Sequence, residues 1–195
     1  MQKNIIILLL LLIIWITGSF LFRSKQQNTL LQERIIKLTP LDTVKLGGAV
    51  TDCKTLNIEY VVIGNSMTPL IQNGQKLRVT DNYYACNQVV SRNDIILYKS
   101  ATTNGSIVKQ VRALPGDIVK FTNKQMFINA QVLKNSTWAP YNFSENESKL
   151  LAAYLQDGKL QEGSFFVFGD NLTNSIDSRK IGAVGISNFR GKVLP

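Results

Sequence analysis

Residues 5–22, IIILLLLLIIWITGSFLF, run for eighteen positions without a charge, between Lys3 on one side and Arg23 and Lys25 on the other. A helix of that length is just long enough to cross the hydrocarbon core of a bilayer. A cleavable secretory leader would have a shorter apolar stretch, about 7–15 residues, closed by a small-x-small site. The exit here, TGSFLFRSK, offers no clean site of that kind. The run therefore predicts a retained transmembrane anchor, with its flanks, over residues 1–23. Lysine and arginine fall on both sides of it, so the positive-inside rule is close to a tie and leans slightly toward a cytoplasmic body.

The remainder of the 195 residues has room for one domain of ordinary size. A net charge of +9 admits three readings: attraction to nucleic acid, attraction to an anionic membrane surface, or solvated lysines. The basic residues are dispersed, with no run of five and no interleaved aromatic platform, so the charge reads mainly as solvated lysines with a smaller membrane-facing contribution. The anchor makes a lipid bilayer the expected partner, and nucleic acid is not one. Two cysteines, Cys53 and Cys86, in a chain without histidine are too few for a zinc site, and no metal or cofactor is expected. In an oxidising compartment the two could pair; spacing alone leaves that open.

Past the anchor, residues 24–55 read as a juxtamembrane stem, polar and mixed, with Pro40 ending any short helix. From residue 56 to 195 the chain reads as one domain of short strands between turn residues, at 57–63, 75–80, 94–98, 106–114, 118–121, 125–133, 164–169 and 181–186. Asn73-Gly74 suits a tight reversal. Ser144 and Glu147 have capping-box spacing, which predicts a helix through SKLLAAYLQD with Gly158 placed to end it. The expected fold is mainly β, an antiparallel sheet or barrel-like domain with one short helical excursion out of it at 134–160.

Ser66, in GNSMTPLIQNG (64–74), sits where tight turns sometimes present a nucleophile. A serine hydroxyl is weak until a positioned base takes its proton, and histidine is absent. A lysine can serve if its amine is neutral near pH 7, which requires its pKa to fall by roughly 3 from the usual ~10.4. Burial in apolar surroundings does this, because it penalises the charged form. Lys109 fits: in SIVKQVRAL, strand alternation sets it on one face with Ile107 and Val111. Lys120, also among apolar neighbours, competes. FGDNLTNSIDSRK (168–180) packs short polar residues that suit a tight loop, in which Asp177 and Arg179 can pair and Ser175 could orient a lysine amine.

Taken in order, these stretches resemble the type I signal peptidases, membrane-bound Ser-Lys proteases. The likeness rests on Ser66-Met67-x-Pro69, on Lys109 leading into Leu114-Pro115-Gly116-Asp117, and on Gly169-Asp170-Asn171 followed by Ser175, Asp177, Ser178 and Arg179. It spans residues 56–193. The resemblance implies that Ser66 is the nucleophile and Lys109 the general base. Ser175 would hydrogen-bond the lysine, and Asp177 with Arg179 would brace the loop. Some members carry an oxyanion-hole serine two positions before the nucleophile, where this chain and others have glycine, here Gly64; the hole would rest on backbone donors. The family arginines that follow the lysine and the asparagine are Gln110 and Leu172 here, and the common Thr-Leu is Leu70-Ile71.

The resemblance further implies secretory preproteins as substrates, with small residues at the first and third positions before the cut. It also implies a single-pass protein of the plasma membrane with its catalytic domain on the extracytoplasmic side, against the weak charge balance. Two rivals share the Ser-Lys chemistry, a dedicated peptidase of the conjugative-transfer or propilin type and a self-cleaving repressor. The repressor should carry a DNA-binding module where this chain has an anchor. A non-catalytic, membrane-tethered β binding module would instead leave Ser66 and Lys109 far apart and exposed.

Overall fold

The structure, a computed structural model, describes residues 43–45, 53–87, 89–99 and 106–194. All of these fall in the second of two compact units, Leu41–Pro195. The expected anchor at 1–23 and most of the stem lie outside the described residues, among which no helix is long and apolar enough to cross a membrane. The stem nevertheless contributes to the folded unit: β1 (Thr43–Lys45) pairs antiparallel with β4 (Val89–Ser91).

The fold is mainly antiparallel β with few helices. Seven strands form an open sheet in the order β13-β12-β6-β5-β14-β3-β2. These are β2 (Leu56–Val61), β3 (Lys76–Asp81), β5 (Ile95–Lys99), β6 (Ser106–Ala113), β12 (Ser164–Phe168), β13 (Val184–Gly185) and β14 (Phe189–Val193). β7 (Val119–Thr122), β8 (Gln125–Ile128) and β9 (Gln131–Val132) make a second, three-stranded sheet. Along β12, Phe166 and Phe168 enter one apolar cluster and Phe165 and Val167 another. A strand buried on both faces reads as an unbroken apolar run, which is why SFFVF lacks the alternation of its neighbours. A third cluster, around Met67, Ile71, Leu77, Val79 and Leu97, lies at the β2 end of the sheet.

Several expectations change. The run 125–133 is two strands, folded at Asn129 and Ala130, which take φ of 50° and 67° and so form a two-residue hairpin turn. The capping box at Ser144 and Glu147 is present, but its helix, α2 (Glu145–Ala152), stops six residues before Gly158. Gly158, with Asp157, instead turns the hairpin of β10 (Leu155–Gln156) and β11 (Lys159–Leu160). The excursion is also not the one helical element. α1 (Tyr83–Asn87) and α3 (Ser178–Ile181) flank the main sheet, and α3 replaces the start of the strand expected at 181–186. Helices this short complete barely one turn, too little for a helical period to be visible. Finally, Cys53 and Cys86 form a disulfide that ties the approach to β2 onto α1.

Candidate active site

Ser66 is held by a loop that the β2–β3 hairpin closes beneath it. The ladder continues past β2 through Val62 N–H to Gln75 O (2.9 Å) and Gly74 N–H to Val62 O (2.8 Å). Gly74 takes φ +81° while Asn73 does not turn positive, so Asn73-Gly74 ends the serine loop and does not form the primed two-residue hairpin that the pair suggests. Asn73 contributes its side chain instead, with Oδ1 accepting from Gly64 N–H at 2.9 Å. Inside the loop, Met67 and Ile71 are buried in the third apolar cluster, and Ile71 N–H donates to Met67 O at 2.8 Å. Those two anchors leave Ser66 on the rim, half-buried. Its own N–H is not engaged by any acceptor among the described residues.

Lys109 reaches this serine from β6. The alternation expected of the strand holds, with Lys109, Val111 and Ala113 buried and Gln110 and Arg112 only partly so. Lys109 is 2% exposed, and its Nζ lies 2.7 Å from Ser66 Oγ and 2.8 Å from Val108 O. Burial pulls its pKa down from 10.5 to about 8; Asp177 opposes that change and Arg179 adds to it. A neutral amine so placed donates to the Val108 carbonyl and keeps a lone pair for the serine proton. The competing lysine, Lys120, is exposed on β7 and far from the serine in sequence and sheet.

The loop after β12 is held by a buried ion pair and contacts the serine segment. Asp177, fully buried, accepts Gly169 N–H at 3.0 Å and pairs with Arg179 through Nε (2.9 Å) and Nη2 (2.7 Å). The predicted ion pair is thus a bidentate, buried one. Arg179 also donates to the carbonyls of Leu172 and Asn171 and stacks on Tyr141, whose hydroxyl donates to Gly169 O at 2.8 Å. Ser175 departs from expectation: its Oγ is buried and makes no hydrogen bond, to Lys109 or to any other described group. It lies against the α-carbon of Gly169, beside the Ser66 carbonyl. The Val108 carbonyl occupies the amine in its place.

Three positioning groups within these motifs received no role from the sequence. Asn171 N–H donates to Ser66 O at 3.1 Å, and its side chain donates to Asn65 O at 3.0 Å. Asp170, 1% exposed, accepts from Leu70 N–H in the serine loop (3.1 Å) and from Ser136 N–H (2.7 Å) and Oγ–H (2.5 Å) in the excursion. Asp117 accepts from Leu114 N–H (2.7 Å) and from Arg92, which fixes the turn following β6. Their signal was the cluster of short polar residues itself; the serine-loop partners of Asp170 and Asn171 are about 100 positions away, beyond any local pattern. Gly64 holds φ +103° in open space, so its conformation and not crowding selects glycine there. Gln110 accepts from Arg112 at 3.2 Å, and Leu172 packs on the first apolar cluster.

Beside Ser66 opens a cavity of about 350 Å³, walled by apolar side chains of β2, β3, β5 and β6 such as Val61, Leu77, Leu97 and Val108. Among the described residues β2 pairs only with β3, and its other edge runs along this cavity without a partner strand.

The family model for signal peptidase, peptidase S26, matches residues 43–194. The chain is 33% identical over 139 residues to Signal peptidase I of Bacillus caldolyticus, covering 69% of this chain and 75% of that one. It is 30% identical over 120 residues to Signal peptidase I U of Bacillus subtilis (strain 168), covering 62% of this chain and 64% of that protein's length. A solved signal peptidase I from Enterococcus faecalis V583 aligns with 54% of this chain and 97% of its own at 25% identity, with a TM-score of 0.37. With the family match spanning the whole folded unit, the chain belongs to the signal peptidase family, peptidase S26.

Proposed function

We propose that this chain is a signal peptidase I that removes signal peptides from secretory preproteins, with Ser66 as nucleophile and Lys109 as general base. The observation that carries the reading is the 2.7 Å approach of a buried, readily neutral Lys109 amine to Ser66 Oγ. It also counts against a non-catalytic binding module, which would leave the two apart.

As Ser66 Oγ bonds to the scissile carbonyl carbon, its proton passes to Lys109 Nζ. The ammonium then protonates the departing amine as the C–N bond breaks, leaving an ester on Ser66 and a neutral lysine. Lys109 next takes a proton from water as the water oxygen attacks the ester, and returns it to Ser66 Oγ as the acid departs. The free Ser66 N–H is the donor available to the tetrahedral oxyanion, since Gly64 has no hydroxyl to offer. Asp177 and Arg179 hold the loop beneath the dyad. Ser175 fills the space beside Gly169 without bonding the lysine.

Substrate binds extended along the open edge of β2, with its small side chains in the adjacent cavity and its backbone supplying most of the bonds. Residues 5–22 anchor the protein once through the plasma membrane, ahead of a stem and the peptidase domain 56–195. The folded part stands on the extracytoplasmic side. The Cys53–Cys86 disulfide supports that side, because such bonds persist in oxidising compartments.

The test is cleavage of a precursor with an Ala-x-Ala site by the detergent-solubilised full chain, beside Ser66→Ala and Lys109→Met. Wild type cleaves, and both variants retain their circular dichroism and lose activity. A Lys109→Met protein that still cleaves removes the lysine from the mechanism; a wild type inert on several precursors removes the peptidase.

A further inference from the structure

One residue at the groove has chemistry that cleavage does not require. The cavity beside Ser66 is walled by apolar and hydroxyl side chains, and Arg190 is the single charged residue lining it among those described. Arg190 comes from β14. Its position there is fixed by Asn82 N–H donating to Arg190 O at 2.8 Å, at the end of β3 remote from the serine loop. The guanidinium stands 6.0 Å from the centre of the Tyr60 ring on β2 and donates from Nε to Asp81 Oδ1 at 3.0 Å. Neither terminal nitrogen has an acceptor among the described residues, and the side chain is 48% exposed while Asp81 is 14% exposed. A guanidinium with one edge paired and its terminal donors free is set to meet a second carboxylate. The other charges on this hairpin do not compete: Glu59 alternates with Tyr60 onto the opposite face of β2, where it pairs with Lys76 at 2.8 Å and sits opposite Arg78 in the ladder.

We propose that Arg190 reads the charge of the substrate segment upstream of the cut, favouring a carboxylate over an ammonium. This rests on the peptidase reading, in which the residues before the scissile bond lie along β2 with the first of them in the cavity at Ser66. Asp81, the partner of Arg190, faces Leu56 in the ladder, five positions before β2 ends at Val61. A segment paired along β2 that reaches past Tyr60 to Arg190 therefore lies roughly four to six residues before the cut. Small residues beside Ser66 set where cleavage happens. Arg190 grades which precursors are cut fastest.

The test uses the detergent-solubilised full chain and a set of internally quenched peptides of one sequence, with Glu, Gln or Lys placed singly at each position from the third to the eighth before the cut. For wild type, kcat/KM falls in the order Glu, Gln, Lys at a position in the four-to-six window. The Glu to Lys ratio is roughly fivefold at low salt, as for a half-exposed charge contact, and shrinks as ionic strength rises. In Arg190→Gln that ratio falls to about one. In Asp81→Asn, which frees the guanidinium of its partner, the ratio grows. Thermal melts establish that both variants are folded. A wild type that cuts every peptide at the same rate, or a ratio unchanged in Arg190→Gln, overturns this inference and leaves the peptidase standing. A wild type that cuts none of them overturns both.

Discussion

Replacing Lys109 by methionine abolishes the proposed base and, by the same physics, stabilises the fold at neutral pH. A lysine whose pKa falls from 10.5 in the unfolded chain to about 8 in the folded protein binds its proton more weakly once folded. Below pH 8 the native state carries a buried charge that the unfolded state solvates. The penalty amounts to about 3 kcal/mol at pH 7, since each tenfold weakening of proton binding is worth about 1.4 kcal/mol. The penalty is fully present below the folded value and disappears as pH rises from 8 through 10.5. A methionine of similar volume removes it, at the cost of the bonds to Ser66 Oγ and Val108 O, roughly 1 kcal/mol each.

Urea unfolding of wild type and Lys109→Met, in parallel from pH 7 to 9.5, is the assay. The stability difference between the two proteins shifts toward wild type by about 2 kcal/mol across that range, since only wild type has a buried amine to deprotonate. The pH–rate profile of wild type supplies the second reading, with kcat/KM rising about tenfold per pH unit and levelling near 8. Parallel stability curves for the two proteins, or a rate that levels below pH 6, would refute a lysine poised by burial.

The loop beneath the dyad and the disulfide give three further expectations. Gly169→Ala places a Cβ against Ser175 Oγ and the Ser66 carbonyl oxygen. Cleavage falls more than about tenfold with secondary structure intact, as expected when reacting groups are misplaced; adding Ser175→Ala does not restore it, because the backbone contact remains. Asp177→Asn leaves Arg179 buried without its partner and costs about 3–5 kcal/mol in chemical denaturation. Asp177 raises the Lys109 pKa, so the inflection in the pH–rate profile of this variant moves down. Reducing Cys53–Cys86, which closes 33 positions of chain, lowers stability by about 4 kcal/mol in the loop-closure account. Cys53→Ser and Cys86→Ser show the same loss without reductant, measured by thermal melts.

The candidate Ser66–Lys109 pair was legible because each residue carried its own local sign. Lys109 sat in an alternating strand whose neighbours on the same face were apolar, and a chain without histidine left few bases to choose from. Lys120 had similar neighbours, yet β7 is a short strand of the smaller sheet with its lysine turned outward. Composition could not separate the two, since burial depends on what covers a strand from elsewhere in the chain. Capping behaved likewise: the Ser144–Glu147 box was readable because its partners are three residues apart, whereas the end of α2 depended on the hairpin that follows.

By itself the sequence determined the strand-rich character of the domain, the presence of a serine turn and of a lysine in an alternating apolar strand, and the polar loop that follows β12. Those properties reside in alternation, turn chemistry and local hydrogen bonding, which act over a few residues. Only the tertiary structure decided that Ser66 and Lys109, 43 positions apart, meet at 2.7 Å. It also decided that Asp170 and Asn171 hold the serine loop from about 100 residues away, and that Ser175 fills space and bonds nothing among the described residues. Long-range partners are chosen by sheet order and by the packing of faces, and neither quantity is written in any short stretch of chain.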